Sequence, residues 1–87
     1  MIKSWSDAAW EDFEYWMKQD KKTLKRILQL LKDIDRNGYD GIGKPERLSG
    51  DLAAYWSRRI DEANRIVYRI DNNIIKIVQC GSHYRDK

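Results

Sequence analysis

The first half of the chain repeats apolar residues at the three- and four-residue spacing of amphipathic helices. A first helix is predicted over residues 7–19, and Ser6 is a suitable N-cap for it. Its apolar face comprises Trp10, Phe13, Trp16 and Met17. We interpret this face as hydrophobic core, and a cofactor-binding surface is the less favoured alternative.

A second helix is predicted over residues 21–36, with Asp20 as its N-cap. Its apolar stripe comprises Leu24, Ile27, Leu28, Leu31 and Ile34. The charged residues expected to face solvent are Lys22, Lys25, Arg26, Lys32 and Asp33. Because only Asp20 separates the two helices, we expect them to form an antiparallel hairpin.

The second half of the chain has the alternation and the β-branched residues that are typical of strands. Strands are predicted over residues 52–60, 65–70 and 74–80. Short turns at 61–64 and 71–73 would join them as an antiparallel meander. One face of the middle strand would carry Arg65, Val67 and Arg69. The other face would carry Ile66, Tyr68 and Ile70, and we expect this second face to pack on the helices.

Residues 1–5 alternate like a further short strand, and residues 38–50 form a long loop with four of the five glycines and the only proline. The glycine spacing matches no phosphate-binding motif. These elements predict an α+β fold in which a two-helix antiparallel hairpin packs on a small, mainly antiparallel sheet of about four strands. At 87 residues the chain is expected to be a single domain, 1–87.

The formal net charge of +3 arises entirely in the half that is predicted to be sheet. Residues 1–40 contain eight basic and eight acidic side chains, whereas residues 41–87 contain nine and six. A basic sheet face with aromatic neighbours is typical of a surface that binds a polyanion such as nucleic acid.

Composition also bears on the compartment in which the chain acts. The single cysteine, Cys80, cannot form an internal disulfide, and we expect it to be a buried strand residue in a reducing compartment. No apolar run approaches the roughly 20 residues of a membrane span. Polar residues from Ser4 onward interrupt any signal peptide, so a cytoplasmic location is expected.

One set of polar residues suits cleavage of RNA without a metal ion. The set comprises Lys44, Glu46, Arg58, Arg59, Arg65, His83 and Tyr84. The reaction needs a base for the 2′-hydroxyl, a cation for the phosphate oxygens and an acid for the leaving oxygen. Glu46, Arg65 and His83 could fill these roles, although surface residues of the same types usually have no catalytic role. One histidine and one cysteine cannot assemble a zinc site, so no metal or cofactor is predicted.

The order of these residues resembles the YoeB/Txe branch of the RelE family of bacterial toxins. The resemblance extends over nearly the whole chain and includes the loop motif Gly43-Lys44-Pro45-Glu46. It is most specific in Trp56-Ser57-Arg58-Arg59-Ile60, in Arg65 followed by Val67-Tyr68, and in the terminal pair His83-Tyr84.

The resemblance implies a RelE-like, microbial-ribonuclease-like fold and a toxin that cleaves messenger RNA in the ribosomal A site. It also implies inhibition by a co-expressed antitoxin of the YefM/Axe type, contact with operator DNA only through the antitoxin complex, and a homodimer. By resemblance, Glu46 is the general base, Arg65 stabilises the transition state, His83 is the general acid and Tyr84 positions the RNA. Backbone phosphates would be bound by Lys44, Arg47, Arg58 and Arg59.

Two departures from the family pattern keep a second hypothesis open. Family members often have proline and lysine where this chain has Arg47 and Ser49, and residues 85–87 extend it as a short tail beyond the usual terminal His-Tyr. The alternative is a catalytically weak module that binds ribosome and antitoxin and inhibits translation by occupying the A site.

Overall fold

The computed structural model describes residues 1–81, in which both predicted helices are present. Helix α1 spans Asp7–Gln19 and helix α2 spans Lys21–Asn37. Each begins at the predicted cap: the Ser6 hydroxyl accepts the N–H of Ala9 at 3.1 Å, and the Asp20 carboxylate accepts that of Thr23 at 3.1 Å. These bonds satisfy backbone donors that have no partner inside the first turn of a helix.

Five strands form one mixed sheet in the order β1-β5-β4-β3-β2. They are β1 (Ile2–Trp5), β2 (Glu46–Arg47), β3 (Trp56–Arg59), β4 (Arg65–Asp71) and β5 (Ile74–Gly81). β1 runs parallel to β5, and every other neighbouring pair is antiparallel. The α+β class and the mainly antiparallel sheet are confirmed, and the sheet has five strands where about four were expected.

The additional strand, β2, lies within the predicted glycine loop. The strand predicted over 52–60 is also shorter than expected, because a 3₁₀ turn occupies Gly50–Leu52. Gly50 has a φ of 65°, a conformation that favours glycine, and the Ala53 N–H bonds back to the Gly50 carbonyl. Local bonds of this kind remove the backbone groups that a strand would use for pairing.

The hydrophobic core lies between the helices and one face of the sheet. From the sheet it includes Ile66, Tyr68, Ile75, Ile77 and Cys80, all essentially inaccessible to solvent. The predicted inward face of β4 and the burial of Cys80 are therefore confirmed. In the helices the prediction needs correction, since Trp10, Met17 and Leu28 are substantially exposed, whereas Ala9 and Leu30 are fully buried.

Side chains of the N-cap residue and of α1 continue the hydrogen bonding of β5 beyond the end of β1. The Ser6 hydroxyl donates to the Val78 carbonyl at 3.1 Å. The Asp12 carboxylate then accepts the Cys80 N–H at 3.1 Å, and the Trp16 indole N–H donates to the Cys80 carbonyl at 2.7 Å. Both backbone groups of Cys80 are thus bound by two residues one helical turn apart, which fixes the last part of β5 against α1.

In the described part of the chain, neither helix combines the length and hydrophobicity that crossing a lipid bilayer requires.

Candidate active site

The face of the sheet opposite the core carries a row of side chains in register across four strands. Glu46 of β2 pairs with Ser57, Ser57 with Val67, and Val67 with Gln79. The neighbouring row contains Arg59, Arg65 and Gly81, also paired in register. Because adjacent strands lie about 4.8 Å apart, the backbones at Glu46 and Val67 are separated by about 10 Å.

These rows form the floor of a cleft of about 400 Å³ that contains two of the predicted catalytic residues, Glu46 and Arg65. The remaining lining residues are Leu48, Ser49, Leu52, Ser57, Val67 and Gln79. Glu46 is exposed at the edge strand, and Arg65 is half-buried at the start of β4. The structure therefore brings a carboxylate and a guanidinium to one cleft that has both apolar and polar walls.

Arg65 is held by the turn that precedes it. Its Nη1 donates to the carbonyls of Asp61, Glu62 and Asn64 at 3.1, 3.2 and 3.3 Å. Among residues 1–81, its Nε and Nη2 atoms have no hydrogen-bond partner. The edge of the planar guanidinium that carries these two atoms is therefore available to a ligand. A fork of this kind matches the oxygens of a phosphate.

The Asp61 side chain shapes this turn. Its carboxylate accepts the backbone N–H groups of Ala63 and Asn64 at 2.9 and 2.8 Å, and also the Asn64 side-chain amide. Partial burial of the carboxyl opposes ionisation, but the hydrogen bonds from Asn64 and Ala63 outweigh it and lower the pKa of Asp61 overall. The ionised Asp61 fixes the turn, and the turn carbonyls fix Arg65.

Three of the predicted phosphate contacts lie on the surface. Lys44, Arg47 and Arg59 are exposed, and Arg59 pairs with Arg65 across β3 and β4. The Arg47 Nε donates to the Ala53 carbonyl at 3.2 Å, which directs this side chain along the edge of β2. None of the three is among the residues that line the cleft.

Arg58 requires a correction, because its side chain is completely buried. Strand alternation places Arg58 on the core side of β3, where it forms an ion pair with Asp33 of α2. Asp33, which was expected to face solvent, turns inward to make this pair, and Arg58 lowers the pKa of its carboxyl. Arg58 cannot reach an RNA backbone from this position.

His83 and Tyr84 lie outside the described residues. β5 is described as far as Gly81, which pairs with Arg65, and only Ser82 separates Gly81 from His83 in the sequence.

Two cleft residues, Ser57 and Gln79, were not identified from the sequence. Strand alternation could have identified Ser57, since it shares a face with Arg59. Gln79 could not be found in this way, because the register shifts between Val67 and Tyr68 and leaves Val78 as an extra residue in β5. This β-bulge allows Gln79 to face the cleft while Ile77 and Cys80 both face the core.

Within residues 1–81 no cluster of three or more His, Cys, Asp or Glu side chains is suitable for holding a metal ion.

Comparison with known proteins identifies the family. Residues 5–84 match the model of the YoeB-like toxin of bacterial type II toxin–antitoxin systems. The chain therefore belongs to the YoeB-like toxins. This toxin is 47% identical to Toxin YoeB of Mycobacterium bovis, over 87% of this chain and 89% of that protein.

Solved structures of YoeB proteins share the fold of this YoeB-like toxin. A YoeB dimer from Staphylococcus aureus gives a TM-score of 0.90 at 49% identity, with 97% of this chain and 98% of that chain covered. YoeB in a heterotetrameric YoeB–YefM complex from the same organism gives a TM-score of 0.92 at 49% identity and the same coverage. The resemblance and the RelE-like fold class inferred from the sequence are confirmed.

Proposed function

We propose that this YoeB-like toxin is a metal-independent endoribonuclease that cleaves messenger RNA in the ribosomal A site and thereby arrests translation. The observation that carries the proposal is the shared cleft of Glu46 and Arg65 on the face of the sheet opposite the core. A carboxylate and a phosphate-binding fork in one cleft are the groups that attack by a 2′-hydroxyl requires.

In the proposed reaction, Glu46 takes the proton of the 2′-hydroxyl while that oxygen attacks the adjacent phosphorus. Arg65 offsets the charge that develops on the non-bridging oxygens. His83 gives a proton to the leaving 5′-oxygen, and Tyr84 positions the RNA beside it. The bond to the 5′-oxygen breaks as the new bond to the 2′-oxygen forms, and the product carries a 2′,3′-cyclic phosphate.

The exposed cations Lys44, Arg47 and Arg59 are proposed to bind the RNA backbone around the cleft. Their exposure supports this role, as does the pairing of Arg59 with Arg65, and Lys44 and Arg47 lie within two residues of Glu46 in the sequence. Arg58 is not part of the proposal, because it is buried in the core.

The proposed partners are an antitoxin of the YefM type, the ribosome with its message, and a second copy of the chain. Solved relatives described as a YoeB–YefM complex and as a YoeB dimer support the first and the third. Operator DNA would be contacted only through the antitoxin complex, and the toxin would act in the bacterial cytoplasm.

The test is primer extension on a message translated in a cell-free system, with wild type and Glu46→Gln compared. Wild type should produce a cut on translated message only, with a 2′,3′-cyclic phosphate at the new end. Glu46→Gln keeps the shape of the side chain but removes the base, so cleavage should fall by roughly 100-fold.

Glu11→Gln is a matched control, since Glu11 is exposed on α1, away from the cleft. This variant should cleave as wild type does. Equal cleavage by wild type and Glu46→Gln would refute the role of Glu46. Arrested translation with an intact message in every sample would instead favour the alternative, inhibition by occupation of the A site.

A further inference from the structure

The buried Arg58 side chain uses its full hydrogen-bonding capacity. An arginine side chain has five N–H donors, and all five have acceptors here. Nε donates to the Tyr68 hydroxyl at 3.0 Å, and Nη1 donates to the Asp33 carboxylate. The remaining acceptors are three loop carbonyls, those of Gly38 and Asp40 on Nη2, at 2.7 and 2.5 Å, and that of Ile42 on Nη1, at 3.1 Å.

The three carbonyls belong to alternate residues of one loop and converge on one cation. A buried charge is tolerated only when it is paired and hydrogen-bonded, so removal of any partner is costly. Residues 38–42 therefore have to curve around the guanidinium. This curved backbone path also explains why residue 41 is a glycine. Its φ is 119°, and a Cβ at this position would lie 1.9 Å from the Asp33 carboxylate.

Asp33 binds both the arginine and the loop. Besides Arg58, its Oδ2 accepts the backbone N–H of Ile42 at 3.0 Å, and its Oδ1 accepts the Asn37 amide at 2.8 Å. The carboxylate thus connects α2, the loop and β3 at one point.

The far end of the same loop is bound by the two neighbours of Arg58 along β3. The Arg59 N–H donates to the Gly43 carbonyl at 2.7 Å, and Ser57 pairs with Glu46. The Arg58 side chain fixes the first part of the loop, and the backbone beside Arg58 fixes the last part. Ile42, held by the side chain, is followed directly by Gly43, and only Lys44 and Pro45 lie between Gly43 and Glu46, so the position of Glu46 depends on both attachments.

We infer that Arg58 and Asp33 are positioning residues that hold the loop over residues 38–46 in one conformation and so place Glu46 at the cleft before RNA binds. They act through Glu46 and do not touch the RNA. This inference rests on the proposed function, because it assigns these residues to the positioning of its general base.

The test is a double-mutant cycle between Asp33→Asn and Glu46→Ala, with single-turnover cleavage of ribosome-bound message as the readout. Displacement of a catalytic group by about 1 Å costs up to roughly 100-fold in rate. Asp33→Asn alone should therefore lower the cleavage rate by roughly 10- to 100-fold, with little change in binding to the ribosome. In the Glu46→Ala background, the same substitution should cost less than about threefold, because its effect passes through the missing base.

Hydrogen exchange provides a readout that does not depend on activity. Asp33→Asn should speed exchange of the amides of Ile42 and Arg59, whereas the amides of α1 should exchange as in wild type. Asp35→Asn is the matched control on the same helix, since Asp35 bonds the N-terminal amine at 2.6 Å and, within residues 1–81, its side chain forms no hydrogen bond or ion pair with the loop. It should leave loop exchange and the cleavage rate unchanged.

Gly41→Ala is a second variant that perturbs the loop without changing a charge. If Asp33→Asn does not fold, this variant tests whether the loop conformation positions Glu46. It should lower cleavage and speed loop exchange in the same way. Wild-type cleavage and exchange by these loop variants, alongside an inactive Glu46→Ala, would overturn the inference and leave the proposed function standing. An active Glu46→Ala would instead refute the proposed base, while faster loop exchange would still support the anchoring of the loop by Arg58 and Asp33.

Discussion

Arg65, the first residue of β4, pairs directly with Gly81, the last described residue of β5. The three carbonyls that hold its Nη1 all come from the turn before β4. The anchored half of the guanidinium therefore faces the turn, while Nε and Nη2 remain for a ligand. Arg65 is therefore a rigidly held guanidinium with the geometry to bind a phosphate. Its strand partner, Gly81, precedes His83 by two residues in the sequence.

Replacing Arg65 with lysine should lower the single-turnover cleavage rate by roughly 100-fold, the cost of one donor to a developing oxyanion. A lysine ammonium is a single point charge and cannot bond the turn carbonyls and a phosphate with the geometry of a fork. The variant should retain its fold, because the surrounding turn is held by Asp61.

Arg69→Lys is the control for Arg65→Lys. Arg69 is the other arginine of β4, but it lies near Asp71, at 3.6 Å, and over the Tyr55 ring. It is not among the residues that line the cleft. Loss of cleavage in both variants would contradict the specific role of the Arg65 fork, because Arg69→Lys likewise keeps the charge but changes an arginine outside the cleft.

The ion pair between Asp33 and Arg58 predicts acid sensitivity. Arg58 lowers the pKa of Asp33 below its ordinary value of 3.8, with further hydrogen bonds from Ile42 and Asn37 in the same direction. A carboxyl with a lowered folded-state pKa stabilises the fold above its unfolded pKa, and this contribution is lost as the pH falls through the folded pKa.

Thermal unfolding measured from neutral pH to about pH 3 should therefore show a steeper decline of the melting temperature in wild type than in Asp33→Asn. The comparison isolates Asp33, because the other carboxyls with lowered pKa values, including Asp20 and Asp61, are present in both proteins. Parallel declines would show that the Asp33 pair does not contribute to acid unfolding.

Local patterns were sufficient for most of the secondary structure. The caps at Ser6 and Asp20, the turns and the inward face of β4 follow from residue spacing and turn chemistry alone. The burial of Arg58 does not, because its partners lie 10 to 25 residues away in the sequence. An arginine on a strand usually faces solvent, and only the folded loop supplies the acceptors that allow this one to be buried.

The candidate site was predictable only in part, for a related reason. Glu46 and Arg65 were selected first as residue types that suit RNA cleavage and then through family motifs, and the pairing of strands brings them to one cleft. Gln79 was missed because the bulge at Val78 changes the phase of β5, and a single sequence carries no clear signal for a bulge. Ser57 was missed although strand alternation, applied to β3, puts it on the same face as Arg59.

The contact between α1 and Cys80 can be tested with Trp16→Phe. The substitution removes the indole N–H that donates to the Cys80 carbonyl, so the free energy of unfolding should fall by about 1 kcal/mol or more. Urea unfolding measures the change. Trp10→Phe controls for ring size, because Trp10 is 43% exposed and its indole N–H has no hydrogen-bond partner among residues 1–81. Equal losses would show that the hydrogen bond is energetically unimportant.

The two leucines of α2 on which the sequence prediction was wrong give a direct test of the core. Leu28 was placed in the apolar stripe but is 43% exposed, whereas Leu30 was left out and is fully buried. Leu30→Ala should lower the free energy of unfolding by about 2–5 kcal/mol, because it removes buried methyl groups and leaves a cavity. Leu28→Ala should cost less than about 1 kcal/mol, since its side chain already contacts water and the surface can relax around alanine.

Urea unfolding at several protein concentrations measures both values in the isolated toxin. A large loss at Leu28 that grows with protein concentration would mean that this face of α2 is covered by another copy of the chain, and equal losses at any concentration would contradict the assignment of Leu30 to the core.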